Sequence, residues 1–202
     1  MKKSFWDCIA GVYDLFERLY NKRCYDGTGA KVASYIKEDS RVLECACGTG
    51  SISRYLAEKA GSLRAVDLSS GMLRQAEKNL RNFHNVRLCK GDIYDLRCRD
   101  NCFDYVVAGN VIHLLDEPYK AVDELLRVCK KGGKVIIPTY INLQKKGNSL
   151  LVKLIDKAGA NFKRQFDEDS YKQFFTEGGY KNVVYDLVDG RMPCAIAVIT
   201  KE

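Results

Sequence analysis

No stretch of the sequence approaches the ~20 consecutive apolar residues that a membrane-spanning helix needs, so no membrane span is expected. The Lys2-Lys3 start is followed by Asp7, Asp14 and Glu17, which interrupt any signal-peptide core. The cytoplasm is therefore the expected location. Internal repeats and low-complexity linkers are absent. So is a disulfide framework: the nine cysteines are odd in number and run from Cys8 to Cys194 through segments patterned as strands and helices, which predicts reduced thiols. Cys45-x-Cys47 and Cys98-x3-Cys102 are close pairs, but they lack the paired knuckles and histidine spacing of a zinc site, and no metal is expected.

What is present is a globular composition. The chain has 202 residues, 46% of them apolar and 29% charged, with a net charge of +7. At roughly 150 residues per domain, this length favours one unit, 1–202, with a full hydrophobic core. Phe5, Ile9, Tyr13, Phe16 and Tyr20 recur at spacings of three and four, predicting an aromatic-faced helix over 3–22. Asp26-Gly27-Thr28-Gly29 reads as a break before a shorter helix, closing an N-terminal cap over 1–38. From there short apolar runs alternate with amphipathic segments. Strands are predicted at 41–45, 63–67, 86–90, 103–108 and 134–139, and helices at 51–60, 69–82 and 117–130, the last stopped by Gly132-Gly133. This alternation implies a doubly wound α/β domain with a parallel sheet, its core over 40–140. A helix capped by Asp167 and a hairpin turned through Asp189-Gly190 fill 167–202.

Ligands of such sheets bind beyond the carboxyl ends of the strands, where Glu44 to Gly50, Asp67, Asp92-Ile93 and 108–110 fall. Gly48 and Gly50 permit close backbone approach. A dinucleotide loop would read Gly-x-Gly-x-x-Gly, whereas the third glycine is Ser53 here and Glu44 ends the first strand. A carboxylate at that point disfavours a pyrophosphate and suits an ammonium group. Asp67 ends the second strand, where a carboxylate can accept both hydroxyls of a ribose, and Asp92 could accept from an adenine amine. Adenine, ribose and ammonium without phosphate describe S-adenosylmethionine.

The segments Val42-Leu43-Glu44-Cys45-Ala46-Cys47-Gly48-Thr49-Gly50, Val66-Asp67-Leu68-Ser69-Ser70-Gly71-Met72-Leu73, Gly91-Asp92-Ile93 and Phe103-Asp104-Tyr105-Val106-Val107 resemble, in order, the motifs of class I S-adenosylmethionine-dependent methyltransferases. The closest likeness is to the small-molecule branch typified by ubiquinone/menaquinone-biosynthesis enzymes, and Arg127-Val128 followed by Lys130-Lys131-Gly132-Gly133 agrees with that branch. The resemblance implies a Rossmann-like seven-stranded, mostly parallel sheet with a C-terminal antiparallel hairpin. It also implies cofactor contacts: Glu44, Ala46, Cys47, Gly48 and Gly50 around the methionine part, Asp67 at the ribose, Leu68 and Met72 on the adenine faces, Asp92 and Ile93 at the adenine edge, and Gly109 and Asn110 at the methionyl backbone. Tyr13 matches an N-terminal Tyr-Asp pair near the cofactor, with ordinary helix packing as the other reading. Ala46 departs from the family's usual glycine.

His113 follows the fourth strand and is the candidate base for taking a proton from a phenol, thiol or acidic carbon, against a purely structural role. Methyl transfer needs little beyond an in-line nucleophile held close, so a site without a base is chemically acceptable. The sequence after the fourth strand, Ala108-Gly109-Asn110-Val111, lacks the Asn/Asp-Pro-Pro-aromatic signature of enzymes that methylate amide or base amino groups. A small-molecule acceptor is expected. An NAD-dependent oxidoreductase is disfavoured by Glu44 and the missing glycine, and an RNA-associated cofactor-binding protein by the lack of an RNA-binding motif. Residues 141–166 carry Lys145, Lys146, Lys153, Lys157, Lys163 and Arg164 against Asp156, a net +5, which reads as a solvated face or as a basic lid favouring an anionic acceptor.

Overall fold

Alternation along a strand decides which face of the sheet each side chain meets. In the computed structural model, which describes residues 5–142 and 163–202 and the side chains there except those at 12–18 and 20, β1 (Arg41–Cys45) sends Val42 to one hydrophobic layer and Leu43 and Cys45 to the other. β2 (Ser62–Asp67), β3 (Val86–Lys90), β4 (Phe103–Ala108) and β5 (Cys129–Tyr140) continue the parallel sheet. β6 (Val183–Val188) and β7 (Cys194–Thr200) complete it in the order β3-β2-β1-β4-β5-β7-β6, and β7 runs antiparallel to both of its neighbours.

Helices α1 (Phe5–Ser34), α2 (Ser53–Ala57) and α3 (Ser70–Leu80) lie on the Val42 side, where Val32, Leu56 and Ala57 pack on Leu63, Val107 and Ile136. Helices α4 (Pro118–Val128) and α5 (Glu168–Glu177) cover the Leu43 side, with Val122, Leu125 and Phe175 against Val106, Val135 and Ala197. Asp167 caps α5 as its sequence predicts: its Oδ1 accepts from the Ser170 N–H at 2.8 Å, and the Ser170 hydroxyl accepts from the Asp167 N–H at 2.9 Å.

Three expectations need correction. The N-terminal break falls at Asn21 (φ −136°, ψ 35°), not at Asp26 to Gly29, which stay helical. Asn21 uses its side chain to hold the far end of the molecule, donating to the Met192 carbonyl at 2.7 Å, while Gly29 has no Cβ because the Tyr55 ring lies against it. Gly132-Gly133 does not stop a helix. The α4 helix gives way to β5 at Cys129, and the glycines absorb an irregularity where the pairing moves from Phe103↔Cys129 to Tyr105↔Lys134. Gly132 has φ +73°, and a Cβ on Gly133 would lie 2.7 Å from the Asp104 carbonyl. The helix expected over 51–60 is confined to Ser53–Ala57. Most of 141–166, including Lys145 to Lys157, lies outside the described residues.

Candidate active site at the switch point

Strand order reverses between β1 and β4, and in a doubly wound sheet a crevice opens there beyond the carboxyl ends. The crevice holds a cavity of about 350 Å³, a size typical of small-molecule pockets. Of the residues singled out from the sequence, Glu44, Ala46, Cys47, Gly48, Asp67, Leu68, Met72, Asp92, Ile93, Gly109 and Asn110 line it. Gly50 and His113 are not in the lining, and the Tyr13 side chain lies outside the described ones.

Glu44 is 2% exposed, one residue before the end of β1, between Leu43 and Cys45 and in register with Ala65 and Val107. Its Oε2 accepts from the Ser53 hydroxyl at 2.5 Å, so the first residue of α2 orients it. Burial pushes its carboxyl up to about 8, Ser53 opposes that shift, and the charge of Asp67 adds to it. Such a group is poised to ionise when a cation arrives.

Asp67 is fixed from both sides. Its Oδ2 accepts from the Gly48 N–H at 2.8 Å and its Oδ1 from the Ser69 N–H at 2.8 Å. The first contact ties the β1–α2 loop to the end of β2, and Cys47 N–H to Val66 carbonyl, at 3.0 Å, reinforces it. Burial raises the Asp67 carboxyl above the ordinary range, with the backbone donors opposing and Asp7 adding a like charge. Asp92 is held by the Tyr94 N–H at 3.0 Å on its Oδ1.

The loop backbone explains its residues. Ala46 has φ +53°, Gly48 φ +56° and Gly50 φ +86°, so three positions of the tight turn have positive φ, one of them without the freedom of glycine. Gly50, expected to touch the ligand, serves the turn from behind: with φ +86°, a Cβ there would lie 2.9 Å from Leu80. Asn110, also left-handed at φ +52°, donates its N–H to the Pro138 carbonyl at 2.8 Å and accepts from the Tyr140 N–H at 3.1 Å, which locks the ends of β4 and β5 together. The Cys45 and Cys47 thiols are pushed well above their ordinary value by burial, which keeps them neutral. Among the described residues, no group of three or more histidines, cysteines or carboxylates fits a metal ion.

The lining also has an apolar set: Trp6, Ile52, Val111, Leu114 and Leu115. His113 sits in the short 3-10 turn Ile112–Leu114, between wall residues yet not one of them. Burial, with the neighbouring Arg164 cation, pushes its imidazole down to about 4. Its carbonyl accepts from the N–H groups of Lys163 and Arg164 at 3.0 and 3.2 Å. Arg164 in turn donates to the Ile112 and Leu115 carbonyls at 3.1 and 2.8 Å, and Lys163 pairs with Asp116 at 2.8 Å. Two charges of the expected basic lid are thus engaged in holding this turn. Trp6, Tyr94, Leu114 and Leu115 were missed from the sequence as lining residues. Their only signal was hydrophobicity, which buried core residues share.

Residues 43–137 match the methyltransferase domain family. The chain is 30% identical over 171 residues to a demethylmenaquinone methyltransferase of Staphylococcus carnosus, covering 73% of this chain and 70% of that protein. Its fold is that of a SAM-dependent methyltransferase from Aquifex aeolicus (TM-score 0.67, 21% identity, 91% and 92% of the two chains). It is equally that of phosphoethanolamine N-methyltransferase 2 of Haemonchus contortus in complex with S-adenosyl-L-methionine (TM-score 0.69, 17% identity, 87% and 52%). The relative's identity and coverage, taken with the seven-stranded sheet and the carboxylates gathered at its switch point, establish that this chain belongs to the class I S-adenosylmethionine-dependent methyltransferases.

Proposed function

We propose that this methyltransferase acts on a small, largely apolar ring made electron-rich by a hydroxyl group, of the reduced-quinone type, with the strand-end carboxylates holding the cofactor and the Trp6–Leu115 wall facing the acceptor. The observation that carries the reading is a single cavity lined both by carboxylates, Glu44, Asp67 and Asp92, and by a set of apolar side chains, Trp6, Ile52, Val111, Leu114 and Leu115. S-adenosylmethionine supplies an electrophilic sulfonium methyl group. In this reading Glu44 receives its ammonium, Asp67 its ribose hydroxyls and Asp92 the adenine edge, while Leu68, Met72 and Ile93 pack on the base. Ala46, Cys47, Gly48, Gly109 and Asn110 give it backbone and close approach.

The acceptor class rests on chemistry and on kinship. A sulfonium methyl is taken by a nucleophile, and a quinone ring is nucleophilic in its dihydroxy form, more so once a hydroxyl ionises. The relative's name specifies a demethylated menaquinone. An ionised hydroxyl would make the acceptor anionic, in keeping with the positive charge of 141–166. We read His113 as an anchor of its turn and not as the base, because it stands outside the lining with a depressed pKa. Domain boundaries follow: a cap over 1–38, a cofactor core over 40–140, and a C-terminal helix and hairpin over 167–202. Among the described residues no helix is long and apolar enough to cross a membrane, and we place the enzyme in the cytoplasm, where its nine thiols stay reduced.

The test is labelled-methyl transfer from S-adenosylmethionine to a panel of reduced short-chain naphthoquinols, benzoquinols, catechols and amines. Transfer to ring carbon or hydroxyl of the quinols supports the reading. Transfer confined to amines would overturn it.

A further inference from the structure

Two consecutive residues in the first turn of α1 meet the site, Trp6 in the cavity lining and Asp7 on the start of α3. Trp6 forms part of the wall, and the Asp7 Oδ1 accepts from the Ser69 hydroxyl and from the Gly71 N–H, each at 2.7 Å. Both donors belong to the start of α3. Ser69 is its N-cap, its hydroxyl also accepting from the Met72 N–H at 3.1 Å, and its own N–H holds Asp67. One short path therefore runs from Asp7 through Ser69 to the carboxylate assigned to the ribose.

The contact is specific in shape and charge. A Cβ on Gly71 would lie 2.7 Å from the Asp7 Cα and 2.8 Å from its carbonyl oxygen, so glycine at this position is what lets the two helices meet. Asp7 stands in the first turn of α1 and bonds to the first turn of α3, so the positive ends of both helix dipoles favour its charge. Opposing that is the repulsion between Asp7 and Asp67. The attachment is therefore a local pair of charge-assisted hydrogen bonds. Further along, α1 loses helical geometry at Asn21, whose side chain is anchored to Met192. The segment ahead of that kink is held near the cavity by Asp7.

We propose that Asp7 is a positioning residue: it latches the first turn of α1 to the start of α3, thereby setting Trp6 as a wall of the cavity and slowing escape of the bound cofactor. This rests on the cofactor reading above, and Trp6, the sole tryptophan of the chain, reports on the latch without any ligand. The Trp6 indole is half-buried, and release of the latch exposes it to water.

The experiment compares wild type, Asp7→Ala and Asp7→Asn by tryptophan emission, by stopped-flow dissociation of S-adenosylhomocysteine and by thermal unfolding. An amide oxygen can still accept from Ser69 and Gly71, so Asp7→Asn should keep the wild-type emission and a dissociation rate within about threefold of it. Asp7→Ala loses both charge-assisted bonds, and its emission should move to longer wavelength while dissociation quickens about tenfold or more. Wild-type emission and dissociation in Asp7→Ala would overturn the latch. So would a loss in both variants that follows their melting temperatures, which would make Asp7 a stability residue only. If wild type binds no S-adenosylhomocysteine, the cofactor reading fails separately, and the emission comparison still decides the latch.

Discussion

The two walls of the cavity are built differently. On the acidic side, Glu44, Asp67 and Asp92 sit at or just beyond the ends of adjacent parallel strands, whose register brings Glu44 beside Ala65 and Asp67 beside Lys90. The sheet itself positions these groups, and each is then held by nearby donors such as Ser53, Gly48 and Tyr94. Among the apolar residues, Trp6, Leu114 and Leu115 are not set by a strand end. Trp6 depends on Asp7 gripping α3, and Leu114 and Leu115 depend on a turn whose carbonyls are gathered by Arg164, some fifty residues later. The acidic wall suits a ligand common to a whole family, and the apolar wall can be remodelled by loop changes without disturbing the strands.

The largest effect expected from breaking the acidic wall is at Asp67. Asp67→Ala removes charge-assisted bonds to two hydroxyls, and S-adenosylhomocysteine affinity should fall by about 2–4 kcal/mol, measured calorimetrically. Because the Gly48 and Ser69 N–H groups also lose their acceptor, unfolding should become easier by about 1–2 kcal/mol. The sequence alone gave no reason to expect that second cost. Unaltered affinity would remove Asp67 from the ribose.

Glu44 gives the next effect, and it depends on pH. Its carboxyl titrates at about 8 when no cation faces it, against 4.5 for an ordinary glutamate. An ammonium ligand needs the ionised form, so affinity should rise with pH by up to tenfold per unit until about pH 8 and then level. Folding has the opposite sign. The unfolded chain releases this proton near 4.5 and the folded one near 8, so the ligand-free protein loses stability as pH climbs between those values. Denaturant titrations at pH 6 and pH 8.5 should show the fall in wild type and a much smaller one in Glu44→Gln. Equal slopes in the two proteins would mean that Glu44 is already ionised.

His113 tests the apolar wall. With its imidazole at about 4, it stays neutral above pH 5, so a rate profile at saturating cofactor should show no limb near 6.5. His113→Ala should lower turnover by about threefold or less, through loosening of the Ile112–Leu114 turn. A loss of about a hundredfold or more with intact cofactor affinity would restore it as the base.

The smallest effect is at Ala46. Its left-handed backbone costs about 1 kcal/mol relative to glycine, offset by about 0.5–1 kcal/mol of chain entropy that a glycine would add to the unfolded state. Ala46→Gly should therefore change stability by about 0.5 kcal/mol at most, without affecting the cofactor, as thermal unfolding with and without S-adenosylhomocysteine would reveal.

Legibility in the sequence follows the same division. Strands β3 and β4 were bounded correctly, and the carboxylates at the strand ends stood out, because short apolar runs and the strand-to-helix hand-over are local signals. The kink at Asn21 was not, since the partner its side chain bonds there, the Met192 carbonyl, lies 171 residues away. Gly132-Gly133 read as a helix stop because a glycine pair signals a turn, whereas its reason is the close passage of Asp104 on the neighbouring strand. Gly50 read as a ligand contact; it is not in the cavity lining, and a Cβ there would lie 2.9 Å from Leu80. Trp6 and Asp7 carry no motif, and their role exists only through the contact with α3.

In the proposed reading this cavity recognises a phosphate-free adenosyl amino acid through its ammonium group and ribose. Calorimetric titration of wild type and Glu44→Gln with S-adenosylhomocysteine and with NAD, at pH 7 in two buffers of different ionisation enthalpy, tests it most directly. The expected result is binding of S-adenosylhomocysteine with release of up to one proton, no proton release and at least tenfold weaker binding in Glu44→Gln, and no measurable heat from NAD. Binding of NAD, or proton release that persists in Glu44→Gln, would contradict it.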